Sequence, residues 1–241
     1  MILVVGETYD SLLGLRSLLS EVDAIPSLTL DLPSMKGKIG DEEVVAITGG
    51  TSNYLSLVST LKAILLYHPR AVFSIGEASS LSPLLHVGDI VIGNRVYLHG
   101  VNFDAYGLAY GTIPGFKEYF YTDIQLARIA EEIGLKIHDI TVSRGDILSG
   151  EKKIIDQEEF SSLILRRYAS MGRLIAYDCV SAGSAIACAN EKIPYLPLRA
   201  VTYVPQEGED GLMRERRISL ESNVNVAKLL VAIIKEGGLP A

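Results

Sequence analysis

Residues 71–92, AVFSIGEASSLSPLLHVGDIVI, constrain the fold of this chain more than any other stretch. The first five form an apolar run that stops at Gly76, the pattern of a strand covered on both faces. A turn of small residues over 76–80, an apolar loop and a second strand ending at Val91-Ile92 are expected to follow. Small residues beyond the carboxyl end of a strand let a ligand approach the backbone closely, and in open α/β sheets ligands sit at that end. A purely structural strand–loop–strand connection fits the pattern equally well.

The same rhythm recurs along the chain. Residues 2–5 are a short apolar run ending at Gly6, and Glu7 to Asp10 read as a turn. Leu12, Leu13, Leu15, Leu18 and Leu19 then recur at helical spacing, with Asp10 or Ser11 as N-cap. Residues 29–43 read as a hairpin or meander, 44–47 as a strand, and Gly49-Gly50-Thr51-Ser52 opens an amphipathic helix over 53–67, closed by His68-Pro69. A Gly-rich turn before a helix can bind phosphate through its free amides. GGTSN, however, lacks the spacing and the lysine of an ATP-binding P-loop.

Residues 97–115, YLHGVNFDAYGLAYGTIPG, are rich in glycine and aromatics, which marks either a binding or partner surface or a loop packed on its own core. Further helices are expected over 123–133, 161–168, 181–190 and 219–235. Further strands are expected over 136–142, with 144–150 as its exit loop, and over 174–177 and 195–204, followed by a charged loop at 206–217. Pro197 should force a bulge or an edge position in its strand. Strands alternating with helices imply one α/β domain over 1–241, with three layers and a mixed, largely parallel central sheet.

Composition narrows the function classes. Of the 241 residues 48% are apolar and 21% charged, enough for a large core. The net charge of −7 argues against nucleic acid as a partner, and Arg214, Arg216 and Arg217 alternate with acids as on a solvated loop. Cys179 and Cys188 form no metal-binding pattern, so no metal and no cofactor are expected, and reduced thiols suit a cytoplasmic protein. The MILVVG start lacks the features of a signal peptide. No apolar run is long enough to span a bilayer, so no membrane partner is expected.

Several blocks together resemble the nucleoside phosphorylase/nucleosidase superfamily, and are most similar to its methylthioadenosine/S-adenosylhomocysteine nucleosidases. They are VVAITGG before a long helix, FSIGEASSLSPLLHVGDIVI with its L-x-P-x-L-x-VGDIV portion, DAYGLAYGTIPG, and IPYLPLRAVTYV. In order, they follow the chain from Ile2 to Val204. The resemblance implies a three-layer α/β subunit, a homodimer, and cleavage of the N-glycosidic bond of a purine nucleoside. That reaction passes through an oxocarbenium-like ribosyl cation and needs a base for water, an acid for the departing purine and a cradle for the ribose.

Position by position, the resemblance implies altered chemistry. Ser11 stands where the family has its water-activating Glu, with Glu7 and Asp10 nearby but off register. Cys179-Val180 replace the Met-Glu pair that grips the ribose. Tyr203 replaces the Asp that protonates the purine, and a phenol with an ordinary pKa of about 10 is a poor donor. Glu77 stands where a small or hydroxyl residue is usual, followed by Ala78 and by Ser79-Ser80 in place of glycines. Ile147 and Leu148 occupy the base-stacking loop. Ser74 holds a position where phosphorylases place an arginine for phosphate.

The implied ligand-binding set is therefore Ser11, Glu77, Ala78, Ile147, Leu148, Cys179, Val180 and Tyr203. Phe103, Tyr106 and Pro114 would reach the pocket of a neighbouring subunit. Asp10, Asp178 and Glu77 are the substitute catalytic candidates; Asp178 is better suited to an N-cap before Val180-Ser181, and Glu77 needs a partner, with Arg144, Arg199 or a ligand hydroxyl available. Weak or absent turnover in the family reaction is expected. The alternative is an active N-ribosyl hydrolase or phosphorylase with a rearranged site for a different nucleoside.

Overall fold

The computed structural model describes residues 1–153, 158, 168, 173–204, 209–236 and 239, with 209–220 as backbone alone. β1 (Ile2–Gly6) is buried throughout. It leads into α1 (Tyr9–Arg16), whose amino end is closed by a capping box between Thr8 and Ser11. β2 (Ser20–Ile25), β3 (Ser34–Ile39) and β4 (Glu42–Thr48) form an antiparallel meander. α2 (Asn53–Tyr67) starts at the Ser52 cap and ends at His68, whose left-handed backbone is followed by Pro69. β5 (Ala71–Ser80), β6 (Ile90–Leu98), β7 (Tyr119–Tyr121) and α3 (Ile124–Gly134) follow. The described chain is completed by β8 (Val142–Ser149), β9 (Leu174–Asp178), α4 (Ser181–Glu191), β10 (Tyr195–Tyr203) and α5 (Glu209–Glu236).

The strands lie in the order β10-β6-β8-β9-β5-β1-β4-β3-β2, with β7 on β6, and β10 also pairs with β5. That extra pairing closes part of the sheet into a barrel. Pairing is parallel between β1 and β4, β1 and β5, β5 and β10, β6 and β8, and β8 and β9, and antiparallel elsewhere. One face buries Leu12, Leu126, Leu229 and Leu230 from α1, α3 and α5 against Ile2, Phe73 and Leu198. The other buries Ala63, Ile64, Ala182 and Cys188 from α2 and α4 against Leu3, Ile47 and Val72. The result is the expected three-layer α/β arrangement; each large apolar side chain so buried contributes roughly 1.5–3 kcal/mol before entropy is counted.

Several boundaries depart from the sequence reading. Residues 76–80 are not a turn: β5 runs on through them, paired with β10 and, at Ser79 and Ser80, with β9. Val91-Ile92 open β6 rather than end a strand. The strand expected over 136–142 begins instead at Val142 and runs through the expected exit loop to Ser149, burying Asp146 and Ser149. β2 was not foreseen, and α1 stops before Leu18 and Leu19.

The loop expected over 206–217 is helical from Glu209 onward; its charged residues are strong helix formers, and the segment continues into the buried half of α5. The rest of that loop, and the helix expected over 161–168 apart from Tyr168, lie outside the described residues. Pro197 lies in a strand paired on both sides, and the bulge falls later, between Val201 and Tyr203. The ladder to β6 starts one residue past it, at Leu198. The Pro197 ring covers Gly93, where a Cβ would meet its Cγ at 2.5 Å, and Thr122 Oγ1 donates to the Gly93 carbonyl at 2.9 Å.

Candidate ligand-binding site

Where β1, β5, β9 and β10 end, their last residues surround a small cleft of about 60 Å³. Glu7 enters from the residue after β1, Glu77, Ala78 and Ser79 from β5, Tyr177, Asp178 and Cys179 from the end of β9, and Thr202 from β10; Lys153 completes the rim.

Glu7 is half-buried and lies across β5. Its Oε2 accepts the Glu77 amide at 3.0 Å. A Cβ on residue 76 would stand 2.7 Å from that oxygen and 2.8 Å from the Glu7 Cβ, so glycine at 76 is what allows the carboxylate to lie there. Burial pushes the Glu7 carboxyl up to about 7; the Glu77 amide and Arg199 oppose the rise, and the carboxylates of Glu77 and Asp178 add to it.

Asp178 has a different setting. Oδ1 accepts the amides of Val180 and Ser181 at 3.2 and 3.1 Å, and Oδ2 accepts the Ser181 hydroxyl and Arg199 Nε, the latter at 2.6 Å. Arg199 is fully buried and gives three further hydrogen bonds, from Nη1 to the Ser74 and Leu198 carbonyls and from Nη2 to Ser74 Oγ. The hydroxyl of Ser74 also meets that of Tyr195 at 2.7 Å. Asp178 thus ties down the amides that begin α4, whose N-cap position is Val180, while neutralising a buried cation.

The two arginines proposed from sequence as partners for Glu77 are engaged elsewhere. Arg199 is taken by Asp178, and Arg144 lies near Glu131 and Asn94. Glu77 instead accepts from Thr202 Oγ1 at 3.3 Å and Asn223 Nδ2 at 3.2 Å. Cys179 is half-buried in the cleft wall, and burial pushes its thiol up to about 12, so it is a weak nucleophile there. Tyr177 is held by its hydroxyl to the Lys152 carbonyl at 2.6 Å.

Of the residues singled out from sequence, Glu77, Ala78, Asp178 and Cys179 come together around the cleft. Ser11 is buried in the cap of α1, its hydroxyl 3.1 Å from that of Thr8, and Asp10 is exposed on the same turn; neither lines the cleft. Leu148 packs among Tyr97, Tyr168 and Tyr177, and Ile147 among Val91, Ile175 and Val201. Val180 and Tyr203 are buried behind the wall at 3% and 1% exposure. Phe103 and Tyr106 sit with rings 6.3 Å apart on the 97–115 segment, where Tyr106 and Pro114 are exposed.

Sequence reasoning did not single out Tyr177, Thr202 or Lys153, and set Glu7 aside as off register. The available signal for Glu7 was its place directly after an apolar run ending in glycine. Among the described residues no group of three or more His, Cys, Asp or Glu side chains is arranged to hold a metal ion. No described helix is long and apolar enough to cross a membrane.

Comparison with known proteins bears on the same region. A family model described as the phosphorylase superfamily matches residues 2–235. The 5'-methylthioadenosine/S-adenosylhomocysteine nucleosidase of Anoxybacillus flavithermus is 28% identical over 193 residues, which are 80% of this chain and 78% of that protein. The corresponding nucleosidase of Neisseria meningitidis, solved in complex with methylthio-immucillin-A, superposes with a TM-score of 0.88 at 24% identity, covering 97% of this chain and 98% of that one. The futalosine hydrolase of Helicobacter pylori gives 0.87 at 21% identity, covering 98% and 97%. At these identities the two structures establish a shared fold.

Proposed function

This chain belongs to the phosphorylase superfamily, and from that premise we propose that residues 1–241 act as one nucleoside phosphorylase-like domain that takes a purine-nucleoside-like ligand in the cleft at the strand ends. In our reading its turnover of methylthioadenosine and S-adenosylhomocysteine is weak or absent. The observation that carries this is the cleft wall itself: its acids are Glu7, Glu77 and Asp178, while Ser11, Val180 and Tyr203 offer no carboxylate and do not line it. Loss of a general acid or base costs about 10²–10⁴-fold in rate, and losses within one site do not add simply.

Glu77, Ala78 and Cys179 would touch the ligand. Ser11, Ile147, Leu148, Val180 and Tyr203 would shape the pocket from behind. The exposure of Tyr106 and Pro114, beside Phe103, supports a homodimer in which this segment reaches the neighbouring pocket. A cytoplasmic setting suits the free thiols of Cys179 and Cys188.

Adenine release from methylthioadenosine and from S-adenosylhomocysteine tests the reading. We expect rates lower by about a hundredfold or more than those of an active relative under the same conditions; rates within a few-fold would overturn it. The second reading, an active hydrolase for another N-riboside, is favoured by Glu7, a cleft carboxyl whose proton is exchanged near neutral pH. Phosphorolysis is the poorer version of it: Ser74 is buried and bound to Arg199 and Tyr195, and Arg199 is held by Asp178.

A further inference from the structure

We propose that Glu7 is the catalytic base of this cleft, taking the proton of the water that attacks the anomeric carbon of a bound N-riboside. The inference rests on the second reading above and names the group that performs its proton transfer. It comes from comparing the carboxylates around the cleft. Both oxygens of Asp178 are committed, to two amides, a hydroxyl and a guanidinium. Both oxygens of Glu77 accept side-chain donors, from Thr202 and Asn223. Glu7 accepts only at Oε2, from the Glu77 amide, and among the described residues Oε1 takes no hydrogen bond. The side chain is nevertheless fixed, because its own amide donates to the Ile75 carbonyl at 3.0 Å and its carboxylate lies in the space that glycine leaves at 76. A base must be both held and open at one oxygen, and Glu7 satisfies both conditions.

The charges facing it set its working range. Glu77 from β5 and Asp178 from β9 make its ionisation harder; Arg199 from β10 makes it easier but is already balanced by Asp178. Lys153 stands on the rim, and the neighbouring Cys179 thiol is pushed up to about 12 and stays neutral at working pH. In the step itself the bond between the anomeric carbon and the ring nitrogen of the base breaks, its electron pair leaving with the nitrogen. Water oxygen bonds to the anomeric carbon and gives a proton to Glu7 Oε1, and the departing nitrogen takes a proton from solvent. Glu7 then returns its proton to solvent, so the sum is addition of one water across one C–N bond.

The test uses the full chain with methylthioadenosine, S-adenosylhomocysteine, adenosine, inosine and uridine as probes, from about pH 5 to about pH 9. Freed base is followed by chromatography and binding by calorimetry. We expect at least one probe to be cleaved, with kcat rising as Glu7 loses its proton and levelling above about 7. Glu7→Gln, which still accepts the Glu77 amide, should lower kcat about 10²–10⁴-fold, leave probe affinity within a few-fold and remove the rise with pH. Glu7→Asp should restore part of the rate and the rise, and serves as the working variant if the Gln form does not fold. A Gln variant that cleaves within a few-fold of the parent with the same pH profile overturns the role of Glu7 and leaves the nucleoside pocket standing. Binding without cleavage of any probe does the same. Neither binding nor cleavage overturns both.

Discussion

The contact between α2 and α4 and the floor of the cleft both bury polar side chains, and they use them in opposite ways. Between the helices Ser184 Oγ meets Ser56 Oγ at 2.7 Å and Thr60 Oγ1 at 2.9 Å. Asn53 Oδ1 accepts from Ser149 Oγ and the Gly183 amide, while its Nδ2 donates to the Gly150 carbonyl. Every group named there is neutral and finds its partner within the protein. The cleft floor instead gathers Glu7, Glu77, Asp178 and Arg199, pairs the last two, and leaves one Glu7 oxygen with no hydrogen bond among the described residues. A saturated neutral network fixes how two helices meet. A charged one with spare acceptor capacity keeps a titratable group near solvent, and that is the arrangement proton chemistry requires.

The contrast can be broken most severely at the buried pair. Arg199→Ala strands Asp178 in the core and should lower stability by about 3–5 kcal/mol, read as a fall in the midpoint of urea unfolding. A smaller loss would mean that solvent reaches Asp178. Glu7→Gln tests the other side of the comparison through stability. The folded carboxyl titrates at about 7, above its ordinary 4.5, so the folded state holds the proton more tightly and loses stability as pH rises through that window. The variant should flatten this slope and be the more stable form above it, by up to about 3 kcal/mol. Parallel pH–stability curves for the two forms would show that Glu7 is not strained by burial.

Between the helices the expected effect is steric. A Cβ on residue 183 would lie 2.1 Å from the Asn53 carbonyl oxygen and 2.7 Å from the Leu57 nitrogen. Gly183→Ala should therefore cost about 1–3 kcal/mol by pushing α4 off α2, with the Glu7 titration unchanged. A shift in that titration would show that the two regions are not independent. The smallest effect sharpens the electrostatics of the cleft: with its thiol pushed up to about 12, Cys179 should react with iodoacetamide at pH 8 at least about a hundredfold more slowly than free cysteine. Labelling at the free rate would contradict a desolvated wall.

How far each region was legible follows from the same physics. The apolar runs of β1, β4 and the first half of β5 announced themselves, as did the small-residue helix α4, because burial on both sides leaves only one kind of side chain. The second half of β5 and the whole of β8 did not. Glu77, Ser79, Ser80, Asp146 and Ser149 look like loop residues until the strands that satisfy them are in place. The site was legible by location more than by residue. The block around Glu77 and the Asp178-Cys179 pair pointed to the cleft, but Ser11 was absorbed by a helix cap, and Glu7 depends on Gly76, sixty-nine positions away in sequence, for the space it occupies.

The pairing of β5 with β1, β10 and β9 has a consequence for motion. A strand at the margin of a sheet can peel away and open a pocket from below. β5 has no such margin, since each end is stitched to a neighbour and the circuit through β6 and β8 returns to it. Its amides are expected to be among the slowest in the molecule to exchange with solvent. The floor of the cleft is in that sense an anvil: whatever admits and releases a ligand must act from the rim.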